Sequence, residues 1–351
     1  MDFGASEEQL LLQRTVRDFL AGECPPERVR AAWETTTGRD PAFWKRLAEL
    51  GVPALLAPER HGGLGLDETD LALVLEETGR AALAEPVVPT CVGVAILREL
   101  DGPLADAWLP KVAAGDATLA VGHAASPFVA DAHVAGLLFL PRDGALLAVP
   151  RERARLEAQP SLDGGQRLFR VDFDARGLAP AAEGDLARAL LDAALDRGAL
   201  CCAAEALGVA DRLIELAVDY AGQRKQFGVA IGSFQAVKHL LADTRVALEY
   251  ARAHVQRAAW SVAQAAPTRA VDVSMAKLAA CEAATEAAKT SLQVHGAIGY
   301  TYEQDVHVWM KRAWSLALAF GDPVFHGARL CAGVIDQTLP AAAFGYEPRH
   351  P

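Results

Sequence analysis

The residues that most suggest chemistry lie in one short run, Arg224-Lys225-Gln226-Phe227-Gly228, followed by Ile231-Gly232-Ser233-Phe234-Gln235. The run stands where one strongly helical stretch stops and another starts, so it is a tight junction. Beside two glycines, an arginine there can bring a forked guanidinium and a close backbone to a phosphate. A solvated cation facing the last carbonyls of a helix fits the same residue. Metal and thiol chemistry have less to work with. The cysteines at 24, 91, 201, 202, 281 and 331 show no C-x-x-C spacing and no metal-like pairing with histidine. Cys201 and Cys202, adjacent in a helical pattern, cannot bridge each other without distortion. All six read as small buried apolar residues of a reducing compartment.

The elements that must position the arginine are mostly helices. Ser6 with Gln9 forms a capping-box signature ahead of apolar residues at helical spacing. A second helix fits Pro41 to Leu50, with Asp40 as cap and Gly51 as terminator. Pro58-Glu59-Arg60-His61-Gly62-Gly63-Leu64-Gly65 is a loop with unusual backbone angles, and helical spacing resumes from Asp67 to Arg80, Thr90 to Leu100 and Ala105 to Ala114. Short apolar or alternating runs follow at Leu137–Pro141, Ala145–Pro150 and Leu168–Phe173, with Arg142-Asp143-Gly144 as a hairpin signal. Beyond them come long helices over about Gly184–Ala221, Phe234–Ala265 and Arg269–Val294, then Tyr302–Phe320, opened by a Thr301/Gln304 capping box, and Pro323–Leu339. The first long helix is apolar nearly all round near residues 199–204, the mark of a helix buried among others. The expected fold is mainly α with a small central β domain: a helical domain over 1–117, a β domain over 118–180, and an antiparallel helical bundle over 181–351.

Bulk properties narrow the function. A chain of 351 residues, 52% hydrophobic and 23% charged, builds a large core and is neither disordered nor fibrous. A net charge of -11 argues against nucleic acid or an anionic membrane as the main partner, so any bound anion needs a local site. No basic-then-apolar leader opens the sequence and no apolar run reaches about 18 residues, which predicts a cytoplasmic protein.

Taken together, Glu8-Gln9-x-x-Leu12 with Val16-Arg17-Asp18-Phe19, the Pro58 to Gly65 loop, Glu76-Glu77-x-Gly79-Arg80, Arg224-x-x-Phe227-Gly228-x-x-Ile231-x-x-Phe234-Gln235 and Gln293-Val294-His295-Gly296-Ala297-Ile298-Gly299-Tyr300 resemble the acyl-CoA dehydrogenase family. The motifs come in the family's order and cover both helical parts of the chain. The resemblance implies an N-terminal helical domain, a β-barrel-like middle domain and a C-terminal four-helix bundle. It also implies an FAD flavoenzyme that oxidises an acyl-CoA to its 2,3-enoyl-CoA in fatty acid or sterol catabolism, with an electron-transfer flavoprotein as acceptor. In the family each flavin site is built by two subunits. By position, Arg224, Gln226 and Phe227 would meet the pyrophosphate and adenine of a neighbour's FAD, with Gln293, Val294 and Gly296 as a second clamp. Gly296 also suits an ordinary helix C-cap, with His295 as a cation favourable at the helix end.

The chain departs from the family where the chemistry sits. The base that takes the α-proton comes from one of two positions, a glutamate after the last long helix or one early in the first bundle helix. Here the first place reads Leu318-Ala319-Phe320-Gly321-Asp322-Pro323, with phenylalanine for glutamate, and the second reads Leu195-Asp196-Arg197-Gly198-Ala199, with glycine. Ala199 also replaces the arginine that usually meets substrate, while Asp196 is retained. Asp322 is a candidate substitute base but has a structural role open to it as the cap before Pro323. Glu205 is another candidate, or one half of an interhelical ion pair, which is the preferred expectation. The flavin-holding segment of the β domain becomes Leu119-Ala120-Val121-Gly122-His123-Ala124-Ala125-Ser126-Pro127, and no tryptophan follows until Trp260. The pattern resembles the accessory subunit of heteromeric α2β2 acyl-CoA dehydrogenases of sterol side-chain degradation, whose partner is a catalytic homologue. A self-sufficient homo-oligomer with Asp322 or Glu205 as base is the alternative, and a non-enzymatic scaffold subunit the third reading.

Overall fold

The structure, a computed structural model, describes residues 4–336 and 338–344. Six helices open it: α1 (Glu7–Glu23), α2 (Pro26–Glu34), α3 (Pro41–Glu49), α4 (Glu68–Arg80), α5 (Val87–Leu100) and α6 (Gly102–Ala113). Their starts follow the sequence. Ser6 Oγ accepts from Gln9 N at 3.2 Å while Gln9 Oε1 accepts from Ser6 N at 2.9 Å, closing the expected box. Asp40 caps α3 through Ala42 and Phe43. Helix α2 was not foreseen, because Pro25-Pro26 reads as a break; Pro26 occupies the first turn, where its missing N–H costs nothing.

Seven short strands follow: β1 (Leu119–Val121), β2 (Val129–Ala130), β3 (Leu137–Arg142), β4 (Ala145–Pro150), β5 (Ala154–Gln159), β6 (Leu168–Phe173) and β7 (Pro180–Glu183). They form two sheets, β1-β3-β4-β7 and β2-β6-β5. The β3–β4 hairpin turns on Asp143 and Gly144, both at positive φ, with Arg142 opposite Ala145. Strand β3 looks uniformly apolar because both its faces are covered. Leu138 and Leu140 pack with Phe169, Val171 and Phe173 of the second sheet. Leu137 and Phe139 join the helical core.

The bundle is α7 (Gly184–Gln223), a hairpin of β8 (Lys225–Gln226) and β9 (Val229–Ala230), then α8 (Gln235–Ala263), α9 (Arg269–His295), α10 (Val306–Leu318) and α11 (Pro323–Leu330). Helix α7 is the spine. Its alanine-rich middle is buried, and it meets α4 backbone to backbone: a Cβ on Gly208 would lie 1.8 Å from Glu76 O, and one on Gly79 would lie 2.0 Å from Glu205 O. Only glycine fits at either place, so these contacts lock the first helices onto the bundle.

Three expectations are corrected. Thr301 does not cap a helix with Gln304; its hydroxyl donates back to Ile298 O at 2.8 Å, closing the preceding turn, and α10 starts at Val306. The last helix ends at Leu330 and passes into a π turn at Cys331–Ile335; of the stretch expected to reach Leu339, residue 337 lies outside the described residues. Cys331 is exposed, whereas the other five thiols are buried as expected.

Candidate functional site

Helix α7 stops at Gln223, and the backbone N–H of Arg224 still closes on Tyr220 O at 2.8 Å before the chain turns out. Lys225 pairs with Ala230 and Gln226 with Val229, which leaves Phe227 and Gly228 as a two-residue turn with φ of 54° and 82°. That geometry fits the twist of a short hairpin but is unusual for a phenylalanine. The ring of Phe227 is 94% exposed, touched edge-on by Phe234 at 6.2 Å. Arg224, Lys225 and Gln226 are exposed too, and among the described residues the Arg224 side chain has no ion-pair partner. The corner is therefore a projecting arm whose cation and aromatic ring are free for another molecule.

The second predicted cluster stands beside it. Gly296 caps α9 at φ 64° with its N–H on the carbonyls of Leu292 and Gln293. His295 stacks on Tyr220 at 4.4 Å, and its Nδ1–H donates to Ser291 O at 2.7 Å. Burial lowers its pKa, so it serves as a neutral packing group and not as the helix-end cation expected. Tyr220 thus ties the end of α9 to the Arg224 corner. Gln293 and Gly296 are exposed, while the Val294 side chain is buried with Ala217 and Ala221 and has only backbone to offer.

The segments expected from resemblance to carry the base and the flavin ring converge elsewhere. The loop after β1 and the turn after α10 meet at a cleft of about 430 Å³ whose lining includes Val121, His123, Ser126, Trp314, Phe320 and Asp322, and α7 reaches its edge through Gly198 against Phe320. Gly198 and Phe320 fill each other: a Cβ on Gly198 would lie 2.0 Å from the ring's Cδ1. The Phe320 ring also stacks with His123, centroids 4.5 Å apart and planes 18° from parallel. Burial lowers the pKa of His123 to about 4, leaving a neutral imidazole.

The turn that carries Phe320 is held from behind. Lys277, almost wholly buried on α9, donates to Leu316 O at 2.8 Å, Ala317 O at 3.1 Å and Gly321 O at 3.3 Å, placing an ammonium at the carbonyl end of α10. His326 on α11 has Nε2 3.1 Å from Phe320 O, which only accepts, so that nitrogen carries the proton. Phe320 itself sits at φ 53°, a strained angle that such surroundings enforce.

The two carboxylates considered as bases have other partners. Asp322 Oδ1 accepts from Phe325 N at 2.8 Å and caps α11 ahead of Pro323, as its sequence context suggested, although it also borders the cleft. Glu205 does not form the interhelical ion pair expected. It takes a hydrogen bond from the Thr78 hydroxyl at 2.9 Å and lines a small cavity of about 70 Å³, with Glu85, Asp131 and Arg312, that adjoins the cleft through shared lining residues such as Ser315 and Phe320. The cation nearest in that cavity, Arg312, is committed to Asp163 at 2.5 Å and to Leu83 O at 2.7 Å. Burial raises the Glu205 pKa and raises that of Glu85 to about 7. The retained Asp196 is bridged to Arg269 at 2.7 Å and Arg329 at 2.6 Å, an ion-pair node joining three helices. Sequence reasoning missed His123 and Glu85, neither of which stands in a local pattern that marks it.

Comparison with known proteins supplies the lineage. Residues 6–116 match the family description "Acyl-CoA dehydrogenase, N-terminal domain" and residues 188–323 match "Acyl-CoA dehydrogenase, C-terminal domain". The chain is 35% identical to the acyl-CoA dehydrogenase IpdE2 of Mycobacterium tuberculosis, over 90% of this chain and 94% of that one. It is 35% identical to IpdE2 of Mycolicibacterium smegmatis, over 91% and 96%. Among solved structures, the ChsE4-ChsE5 complex from Mycobacterium tuberculosis superposes with a TM-score of 0.83 at 24% identity, over 97% of this chain and 100% of that one. A variant of the Tcur3481-Tcur3483 steroid ACAD gives 0.85 at 24%, over 94% and 98%. No helix among the described residues is long and apolar enough to cross a membrane. Two domain matches spanning both helical parts, relatives alike over nine-tenths of their length and the shared fold lead to one conclusion: this chain belongs to the acyl-CoA dehydrogenase family, FAD-dependent oxidoreductases that act on CH–CH bonds.

Proposed function

We propose that this chain is the accessory subunit of a heteromeric acyl-CoA dehydrogenase, and that Arg224, Gln226 and Phe227, with Gln293, Gly296 and the backbone of Val294, complete the FAD pyrophosphate and adenosine site of a catalytic partner chain. The observation that carries this reading is the arm: a guanidinium with no ion-pair partner among the described residues and a phenylalanine ring left 94% exposed, projected from a strained hairpin. The contrast within the molecule supports it, since the two places where the family keeps its base hold Phe320 and Gly198 packed on each other. Two structurally similar assemblies, the ChsE4-ChsE5 complex and the Tcur3481-Tcur3483 enzyme, are themselves named for two chains. The acyl group is then an acyl-CoA of the partner's choosing, with an electron-transfer flavoprotein as acceptor.

The test is to purify the chain alone and together with a homologue that carries the glutamate, then to replace Arg224 by alanine in the pair. Losing one charge-assisted phosphate contact of roughly 1.5–3 kcal/mol weakens FAD binding roughly ten- to hundredfold. A yellow, active homo-oligomer of this chain alone overturns the proposal in favour of a self-sufficient enzyme. That second reading is favoured by the raised pKa of Glu205, which a base in a dry pocket would share. An unchanged FAD content in the R224A pair points instead to a scaffold subunit.

A further inference from the structure

We propose that Phe320, seated on Gly198 and stacked against His123, is the residue that excludes a flavin ring from this chain's own cleft. The inference rests on the accessory-subunit reading and deepens it, by naming what closes the second site. Oxidation of a thioester across Cα–Cβ sends a proton from Cα to a base and a hydride from Cβ to the flavin, so the thioester must lie between base and flavin ring. Going from the position of the base to the protein segment behind the flavin therefore crosses two flat layers, thioester and ring. With contact spacings of roughly 3.5 Å, three such gaps need roughly 10 Å.

In this chain Phe320 stands at one position of the base, and His123 comes from the segment that by resemblance holds the flavin ring; their ring centroids are 4.5 Å apart. Not even one layer fits between them. The remaining cleft of about 430 Å³ is lined by both members of this stack and does not separate them.

The closure is a seat and not a swinging side chain. Behind the ring, Gly198 leaves no space that any other residue could share, with a Cβ there 2.0, 2.2 and 2.5 Å from Cδ1, Cε1 and Cγ. The backbone is pinned by Lys277 at three carbonyls and by His326 at the Phe320 carbonyl itself. A side chain packed against both Gly198 and His123 on a fixed backbone has no second rotamer to adopt without moving α7 or the β1 loop. The residues present thus do not fit a flavin ring, although the fold is that of a flavoenzyme.

The probe is lumiflavin, which has the flavin ring and no phosphate tail and so is blind to the Arg224 arm. Equilibrium dialysis against the full-length chain is expected to show no binding by the wild type. F320A is expected to bind one equivalent at least tenfold more tightly, and H123A, which thins the stack from its exposed side, to show a smaller gain. Far-UV circular dichroism checks that each variant is folded, and F320L replaces F320A if the larger truncation does not fold. Wild-type binding equal to that of the variants overturns the proposal, as does the absence of any gain in folded F320A or F320L and folded H123A. The R224A flavin count reads the partner's site and leaves this result untouched, so failure of the accessory reading and failure of the plug are separate outcomes.

Discussion

Replacing Gly198 by alanine puts the interlock to a direct energetic test. By helix propensity alone the change is favourable, by about 1 kcal/mol, because Gly198 lies in the middle of α7. The structure predicts the opposite sign. The new methyl would sit 2.0 Å from Cδ1 of Phe320, against a normal carbon–carbon contact of roughly 3.5 Å, so ring or helix must give by well over an ångström. The ring has little room to retreat, since His123 stacks on it and Lys277 and His326 fix its backbone. Overpacking of this kind costs about 3 kcal/mol, which after the propensity gain leaves the variant about 2 kcal/mol less stable. In an F320A background the clash is gone, and the same change should stabilise by about 1 kcal/mol. The double-mutant cycle therefore carries a coupling of about 3 kcal/mol. Urea unfolding of the four chains, followed by far-UV circular dichroism, measures it. A G198A chain as stable as the wild type, or a coupling below about 0.5 kcal/mol, refutes the claim that these residues fill one another's space.

Glu85 provides a pH signature. Its folded pKa is raised by burial from 4.5 to about 7, so the folded state keeps a proton that the unfolded chain releases, and stability is lost as pH rises through that window. E85Q should flatten the fall between pH 5 and pH 8 in chemical denaturation; an unchanged slope would show that Glu85 does not cause it. Asp322 should behave as a cap: D322A is expected to cost about 1 kcal/mol of stability while the paired enzyme oxidises acyl-CoA within twofold of the wild-type rate per flavin. A loss of more than a hundredfold in flavin reduction would instead make it the base.

What the sequence made legible was local. The Ser6 box, the Asp40 and Asp322 caps and the Asp143-Gly144 hairpin are short-range hydrogen-bond arrangements, and each formed where its residues stood. Helix α2 stayed hidden because a proline pair that starts a helix looks the same as one that ends it. Thr301 and Gln304 had the letters of a capping box, but the Thr301 hydroxyl donates back to Ile298 O and accepts from Glu303 N in place of Gln304 N. The Arg224 corner was recognisable as a junction, whereas a phenylalanine at positive φ in its turn has no marker in sequence. The cleft was half visible. Resemblance identified Gly198 and Phe320 as two separate departures, yet their contact, the His123 stack and the Lys277 brace join segments far apart in the chain. Glu205 was misjudged for the same reason: a buried carboxylate invites an ion pair, and the cation in reach was already taken by Asp163.

The mutual fit of Phe320 and Gly198 ties the two positions together as targets of change. A glutamate placed at 198 would meet the aromatic ring at once, and one placed at 320 would lie against a neutral imidazole and leave Gly198 with nothing to fill the space above it. A single exchange at either position therefore weakens the fold, so drift at one is held in check by the other.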